Sequence, residues 1–273
     1  MSPERLTVTI LGAGTSTVVP VPGCSCAVCT SGLPENSRTR CSALLSFAGR
    51  NILIDASTDL RQQALREGIT RIDAVLFTHT HADHVHGIDD LRPFNRRGEP
   101  AIAVYGSAET IATLRRRFSY IFDAGAEPGY RPRLETREAS APFRLFGLPI
   151  EPLPLRHGSG QCLGYRIGPF AYLADCSAIP KSSWDLLGGL EALVIDALRF
   201  RPHATHFTIA QALKVAEALA PKRTLLTHLS HDVDYPRHAP DLPPGVELAR
   251  DGQSLSLLLD AAGKDTPKAA AGN

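Results

Sequence analysis

The sequence predicts an α/β or α+β fold of stacked sheets flanked by helices. Three observations carry that expectation: short β-prone apolar runs recur along the 273 residues, helical stretches separate several of them, and 43% of the residues are apolar. The runs are residues 6–14, 42–57, 74–78, 101–106, 143–155, 163–176, 192–198, 224–230 and 254–260, each closed by turn residues or a polar side chain. Helices are expected over 60–68, ending on Gly68; over 107–122, behind a Ser107 cap; and over 207–220, stopped by Pro221. Residues 123–142, rich in Pro, Gly and charge, read as a loop or lid. Residues 261–273 read as a flexible tail, which leaves 1–260 as one domain with a Cys-rich loop at 20–32.

Charge excludes more than it suggests. The 29 basic and 28 acidic side chains leave a formal +1, so no global field favours nucleic acid or an anionic membrane as partner. Arg115-Arg116-Arg117 and Arg96-Arg97 read as solvated charge. No run reaches the ~20 apolar residues of a membrane span, and the first ten residues lack the basic-then-apolar pattern of a signal peptide. A cytoplasmic location is expected, with the six cysteines as reduced thiols, some of them ligating metal.

The densest signal is FTHTHADHVHG, residues 77–87. Side chains alternate along an extended chain, so His79 and His81 face one way as the strand before them ends, and Asp83 and His84 follow where the chain turns. Imidazole and carboxylate together suit a borderline divalent cation such as zinc, manganese or iron; without one the cluster is costly to bury. His86 falls outside that spacing and reads as exposed or hydrogen-bonded.

His79-Thr80-His81-Ala82-Asp83-His84 with Gly87 resembles the H-x-H-x-D-H signature of the metallo-β-lactamase fold. That resemblance implies a four-layer αββα sandwich and a dinuclear centre. It places one metal on His79, His81, His157 and Asp175, and the other on Asp83, His84, Asp175 and His228, with Asp175 shared. Asp55, ending an earlier strand, would orient a ligand histidine from behind. Cys24, Cys26 and Cys29 have C-x-C-x-x-C spacing, one ligand short of a tetrahedral zinc site, and His231 is the candidate fourth. This pairing resembles the phosphoribosyl 1,2-cyclic phosphodiesterases of phosphonate catabolism, over roughly residues 6–232. Cys41, Cys162 and Cys176 read as packing residues.

The resemblance implies a metal-dependent phosphodiesterase acting on a small cyclic phosphodiester such as 5-phosphoribosyl 1,2-cyclic phosphate. Two Mn2+ or Zn2+ ions would share an attacking hydroxide, and one structural Zn2+ would sit on the thiolates. Catalytic roles fall to Asp83, within the metal pair, and to His206, the position of a catalytic histidine in that subfamily; His203 is its rival, and either imidazole could instead cap the helix near Thr208. Arg92 and Asn95 reach the substrate or brace their loop. The partner expected is a small-molecule substrate, with no nucleic acid, no membrane and a possible homodimer. Alternatives are a tRNase Z-like nuclease, a thioester hydrolase or lactamase, and a non-catalytic cofactor-biosynthesis protein of the same fold. Its ligands are degraded, whereas all seven donors are intact here.

Overall fold

The computed structural model describes residues 4–95, 98, 100–123, 125 and 129–259. The tail at 261–273 and Arg96-Arg97 lie outside the described residues. Two seven-stranded mixed sheets face each other. The first is built from β1 (Glu4–Gly12), β2 (Ser42–Phe47), β3 (Arg50–Ile54), β4 (Ala74–Leu76), β5 (Ile102–Gly106) and β6 (Leu134–Glu138), with a late strand on its edge. The second runs through β7 (Phe143–Leu145), β8 (Leu148–His157), β9 (Gly160–Ile167), β10 (Phe170–Leu173), β11 (Ala192–Asp196), β12 (Arg223–Thr227) and β13 (Val246–Leu248). The late strand, β14 (Ser254–Leu259), returns to pair antiparallel with β1.

Strand periodicity explains the layering. In β4, Ala74 and Leu76 face the other sheet while Val75 and the following Phe77 face outward; in β11, Ala192 and Val194 face inward while Leu193 and Ile195 face outward. Both strands are parallel to their neighbours and buried on both faces, which is why they read as unbroken apolar runs. Helices Leu60–Arg66 and Ala108–Arg117 cover the outer face of the first sheet through Leu60, Ile111 and Leu114. Helix Ile209–Leu219 covers the second through Ile209 and Ala212. The order is helix, sheet, sheet, helix, as expected.

Several boundaries differ from the sequence reading. Helix 107–122 breaks at Phe118, so Ala108–Arg117 and Ser119–Phe122 are separate helices. The runs 143–155 and 163–176 are each a hairpin, turning at Phe146-Gly147 and Gly168-Pro169. Within the supposed loop 123–142, Leu134–Glu138 forms the edge strand β6, carried by backbone pairing with β5 although its own side chains are mostly exposed. Val246–Leu248 also pairs as a strand.

This topology positions a site. β3, β4, β10, β11 and β12 share one polarity within their sheets, so the residues after them collect along one rim where the sheets meet. There the two sheets are tied directly: Tyr165 donates to the Phe77 carbonyl at 2.7 Å and the Leu163 N–H to the Thr78 carbonyl at 2.8 Å. Gly87 is obligatory at the foot of helix Ala82–Val85, because a Cβ there would lie 1.8 Å from the Ser57 carbonyl oxygen.

Candidate metal centre

Seven donors from five chain segments meet at that rim. His79 and His81 follow β4, Asp83 and His84 lie on helix Ala82–Val85, His157 ends β8, Asp175 follows β10 and His228 follows β12. The ligand atoms of His79, His81, His157 and Asp175 all lie within 4.8 Å of one another, as do those of Asp83, His84, Asp175 and His228. Asp175 belongs to both groups. Its Oδ2 is 3.7 Å from His79 Nε2 and 3.2 Å from His84 Nε2, and its Oδ1 is 3.3 Å from His228 Nε2. Two donors on one cation with bonds of about 2.0–2.2 Å stand about 3–3.5 Å apart, so these separations suit shared ions.

Burial gives an independent test of fit. His79 Nε2, His84 Nε2, Asp175 Oδ1 and both ring nitrogens of His228 are buried without a hydrogen-bond partner. They are five of the eight such side-chain atoms among the described residues. Orphaned polar atoms are costly in a protein interior, and cations would satisfy four of these five, all but His228 Nδ1, together.

Backbone and neighbouring side chains hold the donors in place. Asp55, Asp175 and His228 all adopt left-handed backbone, with φ of 59°, 56° and 60°, which non-glycine residues rarely do. Asp55 accepts from His84 Nδ1 at 2.7 Å and from the Thr78 N–H and hydroxyl, each at 2.8 Å. His84 therefore presents Nε2 to the cluster. His157 donates from Nδ1 to the Thr205 carbonyl at 2.9 Å, which presents its Nε2 likewise. Burial pushes the His79 pKa well down, helped by the charge of His84. Burial works against Asp83 ionising, yet the imidazoles of His228 and His84, 3.8 and 3.4 Å from its Oδ2, hold its pKa below the usual carboxylate range.

His206 lies beside the cluster. Its ring stacks on His228 with centroids 4.5 Å apart, and its Nδ1 is 2.7 Å from Asp196 Oδ2, which also accepts from the Cys176 N–H. Burial lowers its pKa, against the opposing pull of Asp175 and Asp83. His203 is exposed, its ring 5.1 Å from that of His206 and its Nδ1 engaged with Thr205. Neither histidine caps helix Ile209–Leu219: Thr208 does, in a reciprocal box with Gln211. Asp196 escaped the sequence reading, although it ends its strand in the same way as Asp55 and Asp175. His86 is exposed against Phe118, and Asn95 braces its loop through the backbone of Arg133.

A second donor group stands apart. Cys24, Cys26 and Cys29 place their sulfurs 3.3, 3.6 and 3.6 Å from His231 Nδ1, close to the about 3.5 Å separation expected of S and N ligands on one tetrahedral zinc. No disulfide joins these residues. The Cys29 N–H bonds the Cys26 sulfur and is the main reason the Cys26 pKa falls to about 6; burial pushes Cys29 up to about 11. Cys41, Cys162 and Cys176 are buried, and burial raises their pKa values.

A family model for the β-lactamase superfamily domain matches residues 50–229, the span that carries all seven donors. The chain belongs to the β-lactamase superfamily. Among this superfamily member's similar structures is a crystal structure of a diphosphatase from the PhnP family, 42% identical, with a TM-score of 0.87, covering 93% of this chain and 97% of that one. The octanoyltransferase of Porphyromonas gingivalis is 40% identical over 259 residues, 93% of this chain but 52% of that protein. Ribonuclease Z of Bradyrhizobium diazoefficiens is 28% identical over 142 residues, 50% of this chain and 46% of that protein. The chain spans about half the length of these curated relatives. No helix among the described residues is long and apolar enough to cross a membrane.

Proposed function

We propose that the chain is a dinuclear metal-dependent phosphodiesterase that hydrolyses a small cyclic phosphodiester, such as 5-phosphoribosyl 1,2-cyclic phosphate. The observation that carries this reading is Asp175, which reaches both donor groups and leaves them sharing one buried carboxylate. The pair is His79, His81, His157 and Asp175 on one side, and Asp83, His84, Asp175 and His228 on the other. Two Mn2+ or Zn2+ ions bound there would lower the pKa of a water toward neutrality and clamp a nonbridging phosphate oxygen.

The chain's own residues supply the rest. Asp55 and the Thr205 carbonyl fix the tautomers of His84 and His157, so that each ring turns a lone pair inward. Asp196 holds His206 by Nδ1 and would stabilise the imidazolium formed when Nε2 takes a proton from the attacking water, a proton that Nε2 would then give to the departing alkoxide. Cys24, Cys26, Cys29 and His231 would bind one structural Zn2+ that ties the early loop to the late one. We place residues 1–260 in one domain, and the reduced cysteines support a cytoplasmic location. A homodimer is compatible with this reading.

The test is metal analysis of protein purified without added metal, then assay against bis-p-nitrophenyl phosphate and a ribose cyclic phosphate. Three metal equivalents and diester hydrolysis abolished by a chelator are expected. Hydrolysis of a thioester but of no phosphodiester would overturn the substrate class. The likeness to ribonuclease Z favours tRNA 3′ processing as a second reading. It wins if precursor tRNA is cut and the small diesters are not.

A further inference from the structure

Beside the metal centre lies a groove of about 610 Å³ lined by Thr80, His81, Ala82, His86, Arg117 and Phe118. His81, one of the seven donors, forms its inner wall, so whatever fills the groove is continuous with whatever reaches the cations. None of these lining residues is acidic, and the guanidinium is their one permanent charge. Arg117 is the last residue of helix Ala108–Arg117, and its Nη1 donates at 2.6 Å to the carbonyl of Thr80, the residue between His79 and His81. That bond uses one of five N–H donors of a guanidinium that lines the groove. His86 and Phe118, also in the lining, meet edge to face with ring centroids 5.7 Å apart and give the groove an aromatic part.

We propose that this groove holds the part of the substrate remote from the scissile diester, and that Arg117 binds a second phosphate group carried there. The proposal rests on the phosphodiesterase reading and adds its specificity-determining residue. A dianionic phosphate matches the guanidinium fork in charge and shape, and the ammonium of a lysine would match only the charge.

The experiment compares wild type, Arg117→Ala and Arg117→Lys on ribose 1,2-cyclic phosphate with and without a 5-phosphate. Loss of a charge-assisted phosphate contact is expected to raise KM for the phosphorylated substrate about 10- to 100-fold in Arg117→Ala. The unphosphorylated substrate should suffer far less, and lysine should recover part of the loss. Equal loss on both substrates overturns the proposal, because Arg117 then only braces the Thr80 loop; so does no loss on either. Ribose 5-phosphate binding to the same three metal-loaded proteins, by titration calorimetry, needs no turnover. Weaker binding to Arg117→Ala than to wild type supports the groove even if neither diester is cut, an outcome that defeats the phosphodiesterase reading alone. Equal binding overturns the groove.

Discussion

The two donor groups of this molecule sit three residues apart in sequence, at His228 and His231, yet are built on opposite plans. The His/Asp group is buried except for His81, draws on the strand ends of both sheets, and bends the backbone of Asp175 and His228 into the left-handed region. The Cys/His group is half-buried, takes three ligands from one six-residue stretch, and needs only His231 from elsewhere. The first group is carried by the strand ends of two sheets and the second by loops, so a zinc bound as proposed would contribute more to holding the second together. Losing a donor should therefore cost chemistry in the first and fold stability in the second.

Asp175→Asn is the strongest way to break that contrast. Asparagine tolerates the left-handed backbone, so the fold should persist, but one shared carboxylate is lost from both donor groups. A fall of ~10^3-fold or more in kcat/KM with reduced metal content is expected from the lost charge stabilisation; steady-state assay with metal analysis checks it. His206→Ala should lower kcat by about 10²- to 10⁴-fold with the full metal complement retained. Unchanged kcat would move the proton donor elsewhere. Asp55→Asn leaves all seven donors in place but weakens the bond that orients His84. Competition with a chelator should show metal affinity down about 10- to 100-fold.

At the other group, Cys26→Ser should remove one zinc equivalent and leave the dinuclear pair filled. The melting temperature should fall by a few degrees, at about 2–4 °C per kcal/mol for a chain of this size. A full metal complement in that variant would leave the thiols free. The smallest effect concerns Asp73, away from both groups. Burial opposes its charge, but the Asn51 N–H, Arg50 and Arg71 hold its pKa below the ordinary carboxylate value. Its folded pKa is depressed, so its stabilisation is present above the unfolded value and is lost as pH falls through the folded one. Asp73→Asn should therefore flatten the loss of stability below about pH 4 by no more than about 1 kcal/mol, measured by urea denaturation at pH 3 and pH 7.

What the sequence revealed follows the same division. His79, His81, Asp83 and His84 were legible because four donors crowd one strand end and its turn; His157, Asp175 and His228 were legible only through the family pattern. The structure brings all seven together. Asp196 was missed because a strand-ending aspartate carries no signal until its partner His206 is known, ten residues on and after an irregular loop. β6 was missed for another reason: its stability comes from pairing with β5, and LETRE has no buried face to give it away. The break at Phe118 was equally hidden, since it is one non-helical residue after which Ser119–Phe122 resume the helix.

Arg38 joins the two plans. It is 1% exposed, donates to the carbonyls of Ser230 and Val233 and to the side chain of Asn36, and so grips the very turn that carries His228 at one end and His231 within it. One buried guanidinium thus anchors the short stretch of backbone that supplies a residue to each donor group.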